Sequence, residues 1–192
     1  EELKFDDFRT LPIIQSESKS FKDKLKIEIT SQNPKDEIFY LFQTASKGKP
    51  AWMKYTNPLE ISKSEKIQAY VKRGENYSNA VFAEFFKKPN NYTIEYISKY
   101  DPQYHAGGNE GLIDGIYGTT NWRKGEWQGY QSQDFEAVVD LKEVKSVQNF
   151  SSNYLQDSRS WILMPTKVDY YTSLDNVNFT FAGSVENDLN PN

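Results

Sequence analysis

The chain has 192 residues, which is enough for one large domain or two small ones. It contains no cysteine, and this excludes a disulfide framework, a zinc–cysteine site and a cysteine nucleophile. The net charge of −4 comes from interspersed acids and bases, so no basic stripe favours nucleic acid, and no run of about 18 apolar residues predicts a membrane span. Aromatic residues make up 15% of the chain, and this enrichment favours strands over helices.

The first half carries several short segments that read as strands. In residues 24–30, Leu25, Ile27 and Ile29 alternate with polar residues, as in a half-buried strand. Similar strands are predicted over residues 37–43, 65–74 and 80–87, with an Asn-Pro turn and a short edge strand over 54–62. Short strands ended by turn residues at this spacing indicate a small β-sandwich.

A polar, proline-interrupted segment at 87–91 divides the chain into predicted domains of residues 1–89 and 90–192. Strands are expected over 92–98, 135–141 and 144–155, followed by a strand–turn–strand unit over 164–185. No segment has apolar residues at helical spacing over three turns. The start, EELKFDDF, has neither Met nor a signal peptide pattern, and we interpret the chain as part of a longer protein.

The segment 111–131 is unusually rich in glycine and tryptophan. It reads GLIDGIYGTTNWRKGEWQGYQ, with five glycines, two tryptophans and one Asp-Gly pair. We interpret it as a rim in which a tight Asp-Gly turn orders a loop and lifts side chains outward.

The motifs of the second half resemble the F5/8 type C (discoidin-like) domain, a family with many carbohydrate-binding members. They are Asp114-Gly115 followed by Thr119, Thr120 and Trp122, then the strand 139–141, then the hairpin from Tyr171 to Phe179. In the hairpin, Asn176 stands where glycine is usual, and asparagine also tolerates the left-handed turn. The resemblance implies a discoidin-like jelly roll. Because such domains continue past this hairpin, either the C-terminal part is truncated in this chain or the domain closes differently.

The strand segments of the first half resemble the small immunoglobulin-like β-domain that follows the catalytic barrel of chitobiase and β-hexosaminidase-like enzymes. The pair of modules is similar to the C-terminal region of such enzymes from Bacteroides-type bacteria. The expected fold is therefore all-β, with an immunoglobulin/fibronectin-like sandwich followed by a discoidin-like one. The resemblance implies an upstream catalytic domain in the same polypeptide and a secreted, periplasmic or cell-surface location.

The discoidin-like resemblance also implies calcium at the Asp-Gly loop, because the loop offers the oxygen ligands that this hard cation prefers. The implied ligands are Leu112, Asp114, Gly118, Thr119 and Thr120. The alternative is a plain Asp-Gly turn in which Asp114 accepts backbone N–H bonds.

Sugar binding needs exposed aromatic rings and polar side chains that hydrogen-bond hydroxyls. The candidate residues lie in loops expected at one end of the second sandwich: Tyr104, His105, Arg123, Trp127, Tyr130, Arg159 and Trp161. Because tryptophan is highly buried on average, Trp122 is expected in the core, and core positions remain the alternative for Trp127 and Trp161.

No pair of acids lies in a recognisable glycosidase motif, and the chain contains no G-x-S-x-G motif, P-loop or G-x-G-x-x-G motif. We therefore expect a non-catalytic accessory region that binds a glycan of the N-acetylhexosamine or galactose type. The alternative is a purely structural spacer that packs against the catalytic domain.

Overall fold

The computed structural model describes residues 10–43 and 51–187. This part of the chain is nearly all β, and its only helical pieces are three 3₁₀ turns of three residues each, so the all-β prediction is confirmed. The strands are β1 (Ile13–Gln15), β2 (Ser20–Phe21), β3 (Leu25–Thr30), β4 (Glu37–Phe42), β5 (Met53–Lys54), β6 (Leu59–Ile61), β7 (Glu65–Arg73), β8 (Asn76–Tyr77), β9 (Val81–Lys87), β10 (Thr93–Tyr96), β11 (Ala137–Asp140), β12 (Lys167–Thr172) and β13 (Thr180–Glu186).

Two sheets form a sandwich in the first half. One has three strands in the order β1-β3-β6, and the other has the order β2-β9-β7-β4-β5, with β8 also paired to β7. All pairs are antiparallel except β2 with β9, which run parallel. The strands predicted over 24–30, 37–43, 65–74 and 80–87 are therefore confirmed.

Alternation places the core between these two sheets. On β3, Leu25, Ile27 and Ile29 are buried while the residues between them are more exposed. On β7, Ile67 and Ala69 are buried and likewise alternate with more exposed residues. These side chains form one apolar cluster with Phe21, Ile61 and Phe85. Full burial of each large aliphatic side chain stabilises the fold by about 1.5–3 kcal/mol, so this cluster is the main source of stability.

Contacts cross the polar segment 87–91. Lys88, whose side chain is almost fully buried, pairs with Glu110 of the second half. A Cβ atom on Gly115 would lie 3.1 Å from Cδ of Pro89, so the Asp-Gly turn packs closely on this segment. The domain boundary near residue 90 stays a prediction.

The second half contains two separate two-stranded sheets, β10 with β11 and β12 with β13. Its buried residues, in the range 90–187, are Ser98, Ala106 and Asp114. The predicted strands over 92–98 and 135–141 and the strand–turn–strand unit over 164–185 are confirmed in β10 to β13. Whether this half is a discoidin-like sandwich stays a prediction.

The β12–β13 hairpin turns as its sequence suggests. Asn176 has a φ of 58°, so asparagine holds the left-handed position. The Asp175 carboxylate accepts hydrogen bonds from the backbone N–H groups of Val177 at 3.0 Å and Asn178 at 2.8 Å. These bonds, with those from the Asn178 and Ser173 side chains, lower the pKa of Asp175.

The predicted strand over 144–155 is wrong. No strand lies between Asp140 and Lys167, and only an isolated bridge joins Asp157 to Ile162. The apolar residues Val144, Val147 and Phe150 recur every third residue, so they do not share one face of a strand. Val144 is accordingly 80% exposed.

Substitution of Ile67 by alanine tests where the core lies. We expect Ile67→Ala to lower the free energy of unfolding by about 2–5 kcal/mol, because a fully buried side chain leaves a cavity. Leu174→Ala removes an aliphatic side chain with the same number of carbons that is 84% exposed, and it is expected to change stability by about 0.5 kcal/mol or less. Urea unfolding of both variants measures this, and equal losses would place the core elsewhere.

Candidate functional site

A short backbone ladder holds the two loops that carry the predicted binding residues. His105 and Gln128 form an antiparallel bridge, and the Gly129 N–H donates to the Tyr104 carbonyl at 3.0 Å. A Cβ atom on Gly129 would lie 3.0 Å from Cβ of Tyr104, so glycine permits this close approach. The loop 101–108 is thereby fixed against residues 127–130.

The Gln128 side chain fastens this ladder. Its Nε2 donates to the Gly108 carbonyl at 2.8 Å and to the Tyr96 hydroxyl at 3.2 Å, and its Oε1 accepts from the Tyr130 hydroxyl at 2.8 Å. Burial raises the pKa of Tyr130 and of Tyr96, so both phenols stay protonated at neutral pH. Gln128 was not among the predicted residues, since a glutamine in a loop carries no distinctive sequence signal.

Trp122 contacts residues of both loops in this region. Its ring contacts Tyr104 edge-to-face with centroids 6.1 Å apart, and the Arg123 guanidinium lies 4.3 Å from its ring centroid. The expected core position of Trp122 is wrong, because the side chain is only half-buried. The indole Nε1 donates to Oγ of Ser160 at 3.2 Å, which ties a second loop to the first.

That second loop is a tight turn that presents Trp161. Asp157 and Ile162 exchange backbone hydrogen bonds of 2.9 and 3.1 Å, and Oγ of Ser160 donates to the Asp157 carboxylate at 2.8 Å. Trp161 follows a 3₁₀ turn, has a φ of 58° and is 90% exposed. A left-handed backbone costs a non-glycine residue roughly 1–2 kcal/mol, and an exposed ring recovers little of that through burial.

Tyr104, Trp122, Arg123 and Trp161 are called the aromatic rim below. The contacts join Tyr104, Trp122 and Arg123 directly, and Ser160 links them to the turn that carries Trp161. Arg159 is exposed in the same turn, and His105 is exposed next to Tyr104. The rim therefore combines aromatic rings with the Arg123 guanidinium, and the exposed neighbours Arg159 and His105 add further groups that can hydrogen-bond hydroxyls.

The other two predicted aromatic residues serve the loop itself. The Trp127 ring lies against Gly118, where an added Cβ would come within 2.2 Å of Cε2 of the indole. Its Nε1 donates to the Thr119 carbonyl at 2.7 Å. Tyr130 packs on Phe135 with ring centroids 4.8 Å apart and donates to Gln128. Both rings are half-buried, and their contacts order the glycine-rich segment.

Asp114 is buried in the Asp-Gly turn. Its Oδ1 accepts the Ile116 N–H at 2.8 Å, which is the side-chain-to-backbone bond of a plain Asp-Gly turn. A Cβ on Gly107 would lie 2.8 Å from Oδ2, so that glycine makes room for the carboxylate. Burial raises the pKa of Asp114, and a nearby cation would act in the opposite direction.

The other implied calcium ligands differ from Asp114 in exposure. Leu112, Thr119 and Thr120 are exposed and Gly118 is half-buried. The Thr119 N–H donates to the Glu126 carboxylate at 3.2 Å, and its carbonyl keeps one lone pair beside the bond from Trp127. Carboxylate, hydroxyl and carbonyl oxygens fit the ligand preference of calcium. Across residues 10–43 and 51–187, no three or more His, Cys, Asp or Glu side chains group as a metal site.

No protein-family model matches the sequence, and a search of curated proteins finds no significant match. Within the described ranges, no helix has the length and apolar character needed to cross a bilayer.

Two substitutions at position 161 test the left-handed turn. Both Trp161→Ala and Trp161→Gly remove the ring, but only glycine adopts a positive φ without strain. We expect the glycine variant to be more stable than the alanine variant by about 1 kcal/mol in urea unfolding.

The matched control is the same pair at Leu174, which is exposed and is not among the residues with positive φ. There the order should reverse, because glycine adds entropy to the unfolded chain. An alanine variant at 161 that equals or exceeds the glycine variant in stability would contradict the left-handed assignment.

Proposed function

We propose that the chain is a non-catalytic glycan-binding region that uses the aromatic rim as its binding surface. The observation that carries the proposal is Trp161, a 90% exposed indole at a left-handed position in a turn tied to Trp122. Backbone strain at exposed residues concentrates at ligand-binding sites, where it holds a side chain in a required orientation. Neither burial nor a ring contact among the described residues accounts for this tryptophan.

The chemistry of the rim suits a sugar. The C–H face of a pyranose stacks on an indole through apolar and dispersion contacts, while its hydroxyls need hydrogen-bond partners. Arg123 and Arg159 donate to hydroxyl oxygens, and His105 can donate or accept. Arg123 lies over the Trp122 ring, and Arg159 and His105 are exposed and close in sequence to Trp161 and Tyr104.

Preorganisation supports binding by so small a surface. Trp122 is held by Tyr104, Arg123 and Ser160, so little side-chain entropy is lost when a ligand arrives. A single shallow site of this kind binds weakly. In a larger protein, a weak site raises the local concentration of the glycan near another domain by multivalency.

The role in a larger enzyme rests on the motif resemblance. We propose an accessory region of a secreted, periplasmic or cell-surface glycoside hydrolase of the chitobiase or β-N-acetylhexosaminidase type. The proposed ligand is a glycan with N-acetylhexosamine or galactose units, and the proposed second partner is a catalytic domain in the same polypeptide.

A structural spacer is the second candidate. The observation that favours it is the tight connection of the two halves, with Lys88 paired to Glu110 and Pro89 packed against Gly115. A rigid connection would let both modules brace a neighbouring domain. This candidate requires no ligand on the rim.

A ring deletion separates the two candidates. Titration with N-acetylglucosamine and galactose oligosaccharides, followed by protein NMR, should shift the indole signal of Trp161 and the signals of Arg123. Trp161→Ala should weaken binding by about tenfold or more, since truncation of a central aromatic anchor commonly costs 2 kcal/mol or more.

The matched control is Tyr171→Ala, which removes a ring that is 53% exposed on β12, outside both the segment 111–131 and the aromatic rim. It should bind as the unchanged chain does. No spectral change at millimolar sugar would reject the glycan proposal and favour the spacer.

Calcium is proposed as a structural ion at the Asp-Gly loop. If it binds there, EDTA should lower the Tm, and Asp114→Asn should lower the Tm in calcium and abolish the EDTA effect. The asparagine Oδ1 can still accept the Ile116 N–H, so the variant separates charge from the turn.

Asp175→Asn is the control, because that carboxylate also accepts turn N–H bonds but is exposed and distant in sequence from the loop. It should leave any EDTA effect intact. A Tm that EDTA does not change would remove calcium and leave Asp114 as a turn residue.

A further inference from the structure

A second group of rings lies on the outer face of the six-stranded sheet. On β4, Ile38 and Tyr40 pack against the core, so Phe39 points to the opposite face. On β7, Ile67 and Ala69 are in the core, which places Tyr70 on the same outer face as Phe39. The two residues are direct cross-strand partners, and their rings stack with centroids 5.4 Å apart.

Two further rings pack on Tyr70. Trp52 meets it edge-to-face at a centroid distance of 4.6 Å, and Tyr77 of β8 lies 5.8 Å from it at a tilt of 59°. We call Phe39, Trp52, Tyr70 and Tyr77 the sheet row. Its members come from β4, β7, β8 and the residue before β5, so the row crosses the sheet.

The inner and outer rings of the row differ in exposure. Phe39 and Tyr70 are half-buried, whereas Trp52 is 41% and Tyr77 57% exposed. Cross-strand stabilisation explains the Phe39–Tyr70 pair. It does not require that Trp52 and Tyr77 keep this much surface in water, and aromatic surface held in place by a ring beneath it is a preorganised binding surface.

The charges around the row nearly cancel. Lys54 pairs with Glu37, and Lys66 pairs with Glu84 at 3.0 Å. The remaining lysine on this face, Lys72, lies 5.5 Å from the centroid of Tyr77. Gln43 and Gln68 add an amide pair, joined at 3.1 Å, that can exchange hydrogen bonds with hydroxyls.

This balance selects the chemistry of the ligand. A nucleic acid or another polyanion needs a surplus of free cations, and here two of the three lysines are neutralised by acids. The centre of a protein interface is depleted of charged residues, whereas the lysines and acids named above border these rings. Rings with paired charges and amides at their border fit an uncharged chain of pyranose units, which offers C–H faces and hydroxyls together.

We propose that the sheet row is a second glycan-binding surface, specific for uncharged oligosaccharides, with Trp52 and Tyr77 as the stacking rings. The proposal extends the ligand class of the proposed function to a surface that shares none of its residues. Two surfaces on one chain would bind a long polysaccharide more tightly than either surface alone, through multivalency. Each surface would bind its glycan without the other.

Two experiments on the full chain test the proposal. The first is affinity electrophoresis with soluble neutral polysaccharides (β-glucan, galactan and xylan), and the second is NMR titration with chito- and cello-oligosaccharides. Trp52→Ala and Tyr77→Ala should each weaken binding to a neutral glycan by about tenfold or more, as for truncated aromatic anchors. Tyr171→Ala is the control for loss of an exposed ring and should bind as before. Far-UV circular dichroism and the Tm of each variant show whether the sheet remains folded, and Trp52→Phe, which keeps an aromatic face, should retain most of the binding if it folds.

The outcomes separate this surface from the aromatic rim. Weaker binding in both Trp161→Ala and Trp52→Ala supports both surfaces, whereas unchanged binding in Trp161→Ala with loss in Trp52→Ala supports the sheet row and rejects the rim. Loss in Trp161→Ala alone rejects the sheet row and leaves the proposed function standing. Binding to none of the neutral glycans, or tighter binding to polygalacturonate or single-stranded DNA than to any neutral glycan, would overturn the sheet-row proposal.

Discussion

The burial of aliphatic side chains between β3 and β7 is the constraint on which the rest of the structure depends. Ile27 and Ile67 are both fully inaccessible, and they belong to the cluster that joins the two sheets of the first half. Within the described residues, no comparable apolar cluster occurs after residue 90. The second half is instead held by turns, hydrogen-bonded side chains and ring contacts, and it connects to the first through Lys88 and Pro89.

The strands of the sandwich could be predicted because one physical pattern fixes both their extent and their inner face. Alternation over 24–30 and 65–74 identifies which residues face the core, and the structure keeps that assignment. The segment 144–155 failed the same test, because β-branched and aromatic content without alternation leaves a strand no face to bury. The pairing of β2 with β9 in parallel could not be read from residues that are local in sequence, since it depends on the path of the whole chain.

The site is predictable only in part, for a related reason. Loop positions and residue types indicated that Tyr104, Arg123 and Trp161 are candidates, but their mutual arrangement depends on partners with no sequence signal. Gln128 closes the ladder through side-chain hydrogen bonds that include those to Gly108, Tyr96 and Tyr130, and Ser160 joins Trp122 to the second loop. The need for glycine at position 118 likewise comes from a tertiary contact, because the Trp127 ring leaves no room for a side chain there.

A positive φ at Trp161 is the feature hardest to predict and the most informative. Tryptophan has no intrinsic preference for a left-handed position, so the turn must be imposed by the hydrogen bonds of Asp157, Ser160 and Ile162. A glycine at position 161 would adopt this backbone conformation without strain, and burial of the indole would offset the strain of a tryptophan. The chain has a tryptophan there, and its indole is exposed. Trp52 and Tyr77 show the same departure from a stability optimum without backbone strain. When an exposed residue lowers the stability of the fold, ligand binding is the simplest physical explanation for its presence.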